Sequence, residues 1–441
     1  MPPGVIATSD SDSQQRSTQT TAPDPSSRPS TGARWAKALA LERNVIILSS
    51  SLLILLSASF TWQRLIPLIL RDYGASDLAV SVVFFLIAVA QSLPQILGGI
   101  IADRWGRKVA IVLPGMVAVG LYFVMSMTRN WVVLAALIIT NRMMGALQSP
   151  SFAAILAESV SKEKRGMAFA VFQVAAGLGY TVGPLIGALL VKTAAMHQLM
   201  AINGVALAVA TAMRWFGMSE TVWGGGTRPA DEGRLTLGGV AAQAKIVWTR
   251  VWHGGGRAIL AVGTLFILVQ TMTTQGPFIQ LYAQDSLGYS KAEVNLLFSA
   301  GPLVAIAINL LGGRLIGTLG PRVVLLAGMA GFAPLLGLWL GAGGFSTGMW
   351  LFTASYVFLQ VSIIAYDTLK TELVEGKGRG LALGILGAMT GVVASIGPVV
   401  AGWLSQALGP LTPFVMTFVA IGLMGLILLH NINSRRKAVR S

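Results

Sequence analysis

Long apolar stretches recur along almost the whole of this sequence, and no other feature limits the possible folds so strongly. A helix needs about 20 apolar residues to cross a hydrocarbon layer about 30 Å thick. Because lipid offers no partners for backbone N–H and C=O groups, such stretches must be helices. Only 11% of the residues are charged, against about 25% in soluble domains. We therefore predict an all-α membrane protein.

The apolar stretches predict twelve transmembrane helices, which we call spans one to twelve. Polar or glycine-containing segments separate them. The predicted spans cover residues 44–70, 78–102, 108–127, 131–157, 167–191, 196–216, 258–284, 291–317, 322–343, 348–371, 380–406 and 411–431.

The Lys and Arg residues, which give a net charge of +15, divide unevenly between the two sides of these spans. Outside the spans, most of them fall on the side of both termini, whereas the opposite side carries Arg71, Arg129, Lys192 and Lys291. Basic loops stay cytoplasmic during insertion. We therefore expect both termini in the cytoplasm, a location in the plasma membrane, and no nucleic-acid partner.

The polar segments divide the chain into two bundles and three connecting or terminal parts. Residues 1–43 are rich in Ser, Thr, Pro and Asp and are expected to be a disordered tail. Residues 44–217 and 258–432 each hold six spans. Residues 218–257 form a linker with a possible amphipathic helix on the membrane surface, and residues 433–441 form a basic tail.

An internal repeat relates the two bundles. The segment LGGIIADRWGRKV begins at Leu97, and LGGRLIGTLGPRV begins 214 residues later at Leu311. Further identical pairs share this offset: Glu158 and Glu372, Arg165 and Arg379, and Pro184 and Pro398. One offset across so long a stretch indicates a duplicated six-span unit. We predict two pseudo-symmetric six-helix bundles.

The loop between spans two and three reads GIIADRWGRK and resembles the best-known signature of the major facilitator superfamily, G-x-x-x-D-x-x-G-R-[KR]. The matching residues are Gly99, Asp103, Gly106, Arg107 and Lys108. The resemblance extends over about residues 44–431. It implies the major facilitator fold, in which the two bundles enclose a substrate cavity near the midplane and work by alternating access.

The residue types of this loop suggest how it works. Gly99 is expected to let neighbouring helices approach closely, and Gly106 to form a tight turn. The resemblance implies that Arg107 bridges Asp103 and Glu158 as an inner latch; alternatively, Arg107 and Lys108 serve only to fix topology. The second copy of the loop is degenerate, with Gly317 and Pro321 in place of Asp and Arg.

Span five reads GYTVGPLIGA and resembles a signature of superfamily exporters that exchange substrate for protons. Its residues are Gly179, Gly183, Pro184 and Gly187, with Ala188 in place of the last glycine. Glycines four residues apart give a smooth strip for helix contact, and proline removes a backbone hydrogen bond. The alternative is a general packing strip.

Two arginines within spans are candidate substrate or coupling residues, because ionisable groups in lipid are costly and usually functional. Arg142 follows Asn141 in span four and resembles a family motif that takes part in proton coupling. Arg64 lies in span one. Alternatively, both side chains reach toward the membrane surface. The middle of spans one, four and five holds no Asp or Glu.

Other polar residues within spans extend the list of candidates. Gln275 lies in span seven, and Tyr356, Gln360 and Asp367 share one face of span ten. Asp367 is the acidic residue nearest to the expected cavity. It could equally pair with Lys370 one turn away.

These features favour a secondary active transporter rather than an enzyme or a sensor. The chain has no Cys and three His, so metal and thiol chemistry are not expected, and it lacks a nucleotide-binding P-loop. We expect a monomer without cofactor. The leading hypothesis is export of small amphipathic compounds coupled to an ion gradient, with protons as the candidate ion. The alternative is uptake or exchange of organic anions held by Arg64 and Arg142.

Overall fold

A computed structural model describes residues 42–92, 94–221, 256–372 and 379–440. Within these ranges every regular element is a helix. Nearly all of the tail predicted over residues 1–43, and the whole candidate amphipathic stretch of the linker, lie outside the described residues. The last helix continues to Arg440.

The helices follow the twelve predicted spans, and four of these spans are described as two helical pieces each. In the N-terminal half the helices are Arg43–Ser59 with Ile66–Asp72, Asp77–Ser92 with Pro94–Trp105, Arg107–Met127, Trp131–Glu158, Arg165–Leu190 and Met196–Gly217. In the C-terminal half they are Gly256–Met272 with Phe278–Asp285, Lys291–Leu297 with Ala300–Leu319, Pro321–Leu340, Phe345–Glu372, Arg379–Leu408 and Thr412–Arg440.

The described part is a multi-pass membrane protein. Nine of its helices are long and apolar enough to cross a membrane, and a tenth counts when both pieces of span one are taken together. Large apolar side chains such as Met127, Trp350 and Leu426 are exposed on the outside of the bundle. In water this surface would be unfavourable, whereas lipid solvates it.

Spans one and seven are broken, where the sequence predicts continuous helices. Span one bends by 40° between Ser59 and Gln63. Span seven is interrupted between Met272 and Phe278, where Pro277 lacks a backbone N–H and disfavours helical geometry at Gly276. Broken backbone is tolerated within a membrane where it lines a cavity. The two breaks occupy equivalent places in the repeat.

The contacts between the two halves lie toward one side of the molecule. We call the face that carries Arg43 and Gly217 the terminal face, and the face that carries Asp72 and Asp285 the distal face. Span eleven packs on the piece of span two nearest the distal face, and span eight packs on span five. The halves therefore meet toward the distal face.

Candidate substrate cavity and gates

A cavity of about 460 Å³ lies between the halves, beside the breaks in spans one and seven. Its wall combines aromatic rings with an unusual number of amide and hydroxyl groups. Its polar and aromatic lining includes Phe60, Gln63, Arg64, Gln91, Arg142, Tyr180, Gln270, Thr271, Thr274, Gln275, Gln280 and Tyr356. Such a site is concave and mixed in polarity, as small-molecule sites are.

Arg64 lies in the short 3-10 turn that joins the two pieces of span one. Its guanidinium stacks on Phe60, 5.0 Å from the ring centre, and on Phe298 of the other half, at 4.7 Å. One of its Nη atoms donates a hydrogen bond to the exposed carbonyl of Thr274, at 3.2 Å, and its buried Nε has no partner among the described residues. The guanidinium is thus oriented by rings and backbone, with donor capacity left over.

Arg142 reaches the same cavity from span four. Its Nη2 donates to the Oε1 atom of Gln63 at 3.0 Å, and Gln63 in turn donates to the hydroxyl of Tyr122 at 3.1 Å. Gln63 precedes Arg64 in the chain, so the two arginines are tied to one turn of span one. Neither arginine has extended to a membrane surface.

The cavity is positively charged. Arg64 and Arg142 line it, and no Asp or Glu occurs among its described lining residues. A cation removed from water inside a membrane protein is unfavourable unless an opposite charge or several oriented acceptors compensate it. Among the described residues, the Thr274 carbonyl and the Gln63 amide oxygen supply that compensation. An anion would therefore be stabilised in this cavity.

At the distal face, ion pairs join the two halves. Arg71 at the end of span one donates to Asp285 at the end of span seven, at 2.5 Å, and also contacts Asp77 at 3.3 Å. Lys291 of span eight pairs with Asp72. We call these five residues the distal gate, since they lie between the cavity and this face.

At the terminal face, the charged loop predicted from its motif forms ion pairs inside one half. Arg107 contacts Asp103 at 2.8 Å and Glu158, at the end of span four, at 3.5 Å. Gly106 has a φ of 101°, which lets the chain turn sharply between spans two and three. We call Asp103, Arg107 and Glu158 the terminal cluster.

Glu220, just after span six, completes this cluster, and sequence reasoning missed it. Its two carboxylate oxygens accept hydrogen bonds from the backbone N–H groups of Arg107 and Lys108, both at 3.0 Å. Those groups open span three, where the helix dipole favours an anion. The next residue, Thr221, donates to Glu158 at 2.5 Å. The start of the linker is therefore fastened to the terminal cluster.

The described residues thus form twelve helical spans in two equivalent halves, with a cavity between them. The family model described as Major Facilitator Superfamily matches residues 47–275 and 260–441. The chain belongs to this superfamily. The expectations drawn from the loop motif for the family and for the fold are confirmed.

Known members of the superfamily resemble this one at low identity. A multi-drug resistance efflux pump PmrA homolog of Lactococcus lactis is 26% identical over 58% of this chain, and the match spans 61% of the relative's length. A probable sulfoacetate transporter SauU of Cupriavidus necator is 22% identical over 81% of this chain and 85% of its own. A solved nucleoside transporter NupG has a TM-score of 0.72 at 14% identity, covering 88% of this chain and 99% of its own. That likeness concerns the fold.

The glycine strip of span five packs against span one in this superfamily member. A Cβ atom at Gly179 would lie 2.6 Å from that of Leu56, and one at Gly183 would lie 2.7 Å from that of Phe60. At Gly187 a Cβ atom would approach Asn295 of the other half to 2.7 Å. Pro184 lies inside the helix without breaking it. The strip holds span one in place beneath Arg64.

The expectation for Gly99 was wrong in this structure. A Cβ atom at Gly99 would meet nothing within 4 Å, whereas one at Gly98 would collide with the backbone of Leu147 in span four. The close approach therefore falls one residue earlier. A helix turns by about 100° per residue, so neighbouring glycines face different surroundings.

The polar candidates of spans four, seven and ten divide between two places. Gln275 and Tyr356 line the central cavity, and Gln275 donates to Gln270 at 2.8 Å. Gln360 and Asp367 are not among its described lining residues. Asp367 pairs with Lys370 at 2.6 Å, and its carboxylate is 59% exposed. Asp367 is thus a partner in a local salt bridge, because it lies one turn from Lys370 near the end of span ten.

Asn141 lines a second cavity, of about 340 Å³, inside the N-terminal half. Arg142 lines both cavities. The lining of the second cavity also includes Arg214 of span six, which sequence reasoning did not single out. Arg214 is 1% exposed. Its place within the last turn of span six gave the only signal, and a position near a span end does not separate a buried arginine from a surface one.

Proposed function

We propose that this chain is a secondary active transporter that exports small amphipathic organic anions. Its membership of the superfamily carries the general part, the movement of a small molecule across a membrane. The observation that carries the specific part is the positive central cavity: Arg64 and Arg142 line it, and its described wall holds no carboxylate.

An organic anion matches this cavity in charge and in shape. Guanidinium groups bind carboxylate, sulfonate and phosphate groups through paired N–H donors. Arg64 keeps a donor without a partner, and the phenols of Tyr180 and Tyr356 add hydroxyl donors beside it. The apolar part of the substrate would pack on the aromatic rings of the same wall, beginning with Phe60.

Alternating access follows from the two sets of ion pairs. With basic loops and both termini on the cytoplasmic side, the terminal face is the inner one. The state described is then closed to the outside by the distal gate. In the opposite state Asp103, Arg107 and Glu158 would act as the inner latch, with Gly106 and Lys108 shaping the loop. A substrate would load from the cytoplasm, as export requires.

A second candidate is export of lipophilic cations or neutral compounds in exchange for protons. Its support is the 26% identity to a protein named as a multidrug efflux pump and the glycine-proline strip of span five. The described cavity wall offers this candidate no carboxylate to exchange a proton or to hold a cation. The anion hypothesis therefore stands first.

Transport by the purified protein in liposomes tests the proposal. Matched panels of aromatic carboxylates and sulfonates, and of lipophilic cations such as tetraphenylphosphonium, would be measured with and without a proton gradient. Arg64→Gln and Arg142→Gln should each reduce anion flux by about tenfold or more, because a hydrogen bond to a charged group contributes about 1.5–3 kcal/mol. Arg314→Gln, at an exposed arginine of span eight, is the matched control.

The two candidates give different results. Flux of anions that depends on both arginines and not on Arg314 supports the proposal. Flux of cations with no anion flux, unchanged by Arg64→Gln, overturns it in favour of the second candidate. If the transport rate in either panel depends on the proton gradient, protons are the coupling ion. If neither rate depends on that gradient, protons take no part in the mechanism.

A further inference from the structure

The cavity inside the N-terminal half contains a buried cation that the proposed transport site does not use. This cavity of about 340 Å³ touches the central one, since both include Gln63 and Arg142 in their walls. Its other end is lined by Gln148 and Phe152 of span four and by Arg214 of span six. It therefore extends from the central cavity toward the terminal face.

Arg214 is held there by neutral groups. Its Nε donates to the hydroxyl of Ser51 at 2.9 Å, and its Nη1 donates weakly to the Oε1 atom of Gln148, at 3.5 Å. The ring of Phe152 lies 5.0 Å from the centre of the guanidinium. The buried Nη2 has no partner among the described residues. A guanidinium offers five N–H donors, so this one keeps unused capacity.

No opposite charge compensates Arg214. Its guanidinium forms none of the ion pairs found among the described residues. The wall of the cavity adds a second cation, Arg142, and its described lining contains no Asp or Glu. An unpaired buried charge costs several kcal/mol even after relaxation. Two cations in the wall of one cavity therefore leave a strong demand for an anion.

We propose that Ser51, Gln148 and Arg214 form a second anion site, separate from the central substrate site. Its ligand is a small monovalent anion, which would accept hydrogen bonds from Nη2 of Arg214, after this covered atom turns toward the cavity, and from the second N–H of the Gln148 amide, whose first donates to the Met144 carbonyl at 3.1 Å. Two sources share this chemistry, a free halide such as chloride and the carboxylate group of a small organic anion. The inference does not rest on the proposed function, because Arg64 takes no part in it.

Bromide is the probe for the site, since it replaces chloride and scatters anomalously. Crystals of the full chain grown in bromide should show an anomalous peak within about 3.5 Å of the Arg214 guanidinium, at a length typical of a charged hydrogen bond. In solution, bromide should raise the melting temperature of the wild type, of Arg64→Gln and of the exposed control Arg314→Gln. Arg214→Gln should lose that rise.

The outcomes separate this site from the central one. An Arg214→Gln protein that responds to bromide like the wild type, or wild-type crystals without a peak at Arg214, overturns the inference. If Arg214→Gln does not fold, the crystals of the wild type decide the question alone. Loss of the response in Arg64→Gln instead places the bromide in the central cavity and also overturns it.

A benzoate titration distinguishes the sources. If Arg214→Gln binds one benzoate fewer than the wild type, the site accepts the carboxylate of an organic anion. If bromide binds at Arg214 but the wild type and Arg214→Gln bind the same number of benzoates, the site is reserved for a halide. If the liposome assay showed no anion transport, either result of the benzoate titration would still hold. The two proposals can therefore fail independently.

Discussion

The two faces of the molecule are held by ion pairs that differ in what they connect. At the distal face Arg71 and Lys291 each pair with a carboxylate of the other half. At the terminal face Arg107 pairs with Asp103 and Glu158 of its own half. Pairs across the halves stabilise one conformation of the transporter. Pairs within a half stabilise that half as a rigid body in every conformation.

The repeat explains why the distal pairs carry opposite charges. Arg71 and Asp285 are separated by 214 residues, so they occupy equivalent positions in the two halves. Asp77 and Lys291 share the same offset. Equivalent positions next to a pseudo-twofold axis face each other, and identical charges there would repel. The distal gate could form only after the two copies had diverged in charge.

The largest effect is expected where the halves touch without charges. Gly187→Leu should abolish transport, because a Cβ atom there would lie 2.3 Å from the Thr61 carbonyl of its own half and 2.7 Å from Asn295 of the other half. The variant should hold the distal face open, seen as a longer spin-label distance between Lys192→Cys and Ser286→Cys in this cysteine-free chain. Gly120→Leu, where a Cβ atom meets nothing within 4 Å, should transport normally. An unchanged distance in Gly187→Leu would contradict the packing argument.

A smaller effect is expected inside the terminal cluster. Arg107→Gln removes the cation from two carboxylates, and its side chain is only 19% exposed. Charge-assisted hydrogen bonds contribute about 1.5–3 kcal/mol, so we expect a fall in melting temperature and an approximately tenfold loss of flux. The distal spin-label distance should stay as in the wild type. Arg104→Gln, at an exposed neighbour, is the control, and an equal loss there would refute a specific role for Arg107.

Weakening the distal gate should shift the conformational balance without destabilising the fold. Exposed pairs contribute about 0.2–1 kcal/mol each, so Arg71→Gln or Lys291→Gln should raise the distal-open population by about twofold to fivefold. The spin-label distance distribution measures this shift. Arg129→Gln, at the same face and in none of the ion pairs of the described residues, should change nothing. If Arg71→Gln or Lys291→Gln lowered the melting temperature more than Arg107→Gln does, the comparison between the two faces would be reversed.

The smallest effect is expected at the start of the linker. Glu220→Gln keeps one acceptor oxygen, so one of the N–H groups of Arg107 and Lys108 loses its partner. It also loses the charge that favours a helix N-terminus, which contributes about 0.3–1 kcal/mol. We expect a fall of a few degrees or less in melting temperature and nearly normal flux. Glu42→Gln is the control, because Glu42 precedes span one without a side-chain hydrogen bond to it. A loss of flux without a loss of stability would show that the linker controls the terminal cluster.

The architecture could be predicted from the sequence because its signals are local or periodic. Apolar length fixes the spans, the shared offset fixes the two halves, and the loop motif indicates the superfamily. Arg64, Arg142, Gln275 and Tyr356 were also foreseen at the cavity, since polar groups in apolar spans are conspicuous. Gly99 was misplaced, because a shift of one residue changes what a side chain meets. For Asp367 the alternative of a salt bridge with Lys370 is confirmed.

The sequence by itself determined how often the chain crosses the membrane and how its halves are related, because lipid forces each apolar stretch into a helix. Only the tertiary structure decided which charges are compensated. Arg71 and Asp285 look like ordinary surface residues until the axis brings them together, and Arg214 looks like one until span six buries it beside Ser51. Pairing depends on distances between segments far apart in the chain, and no local pattern encodes those distances.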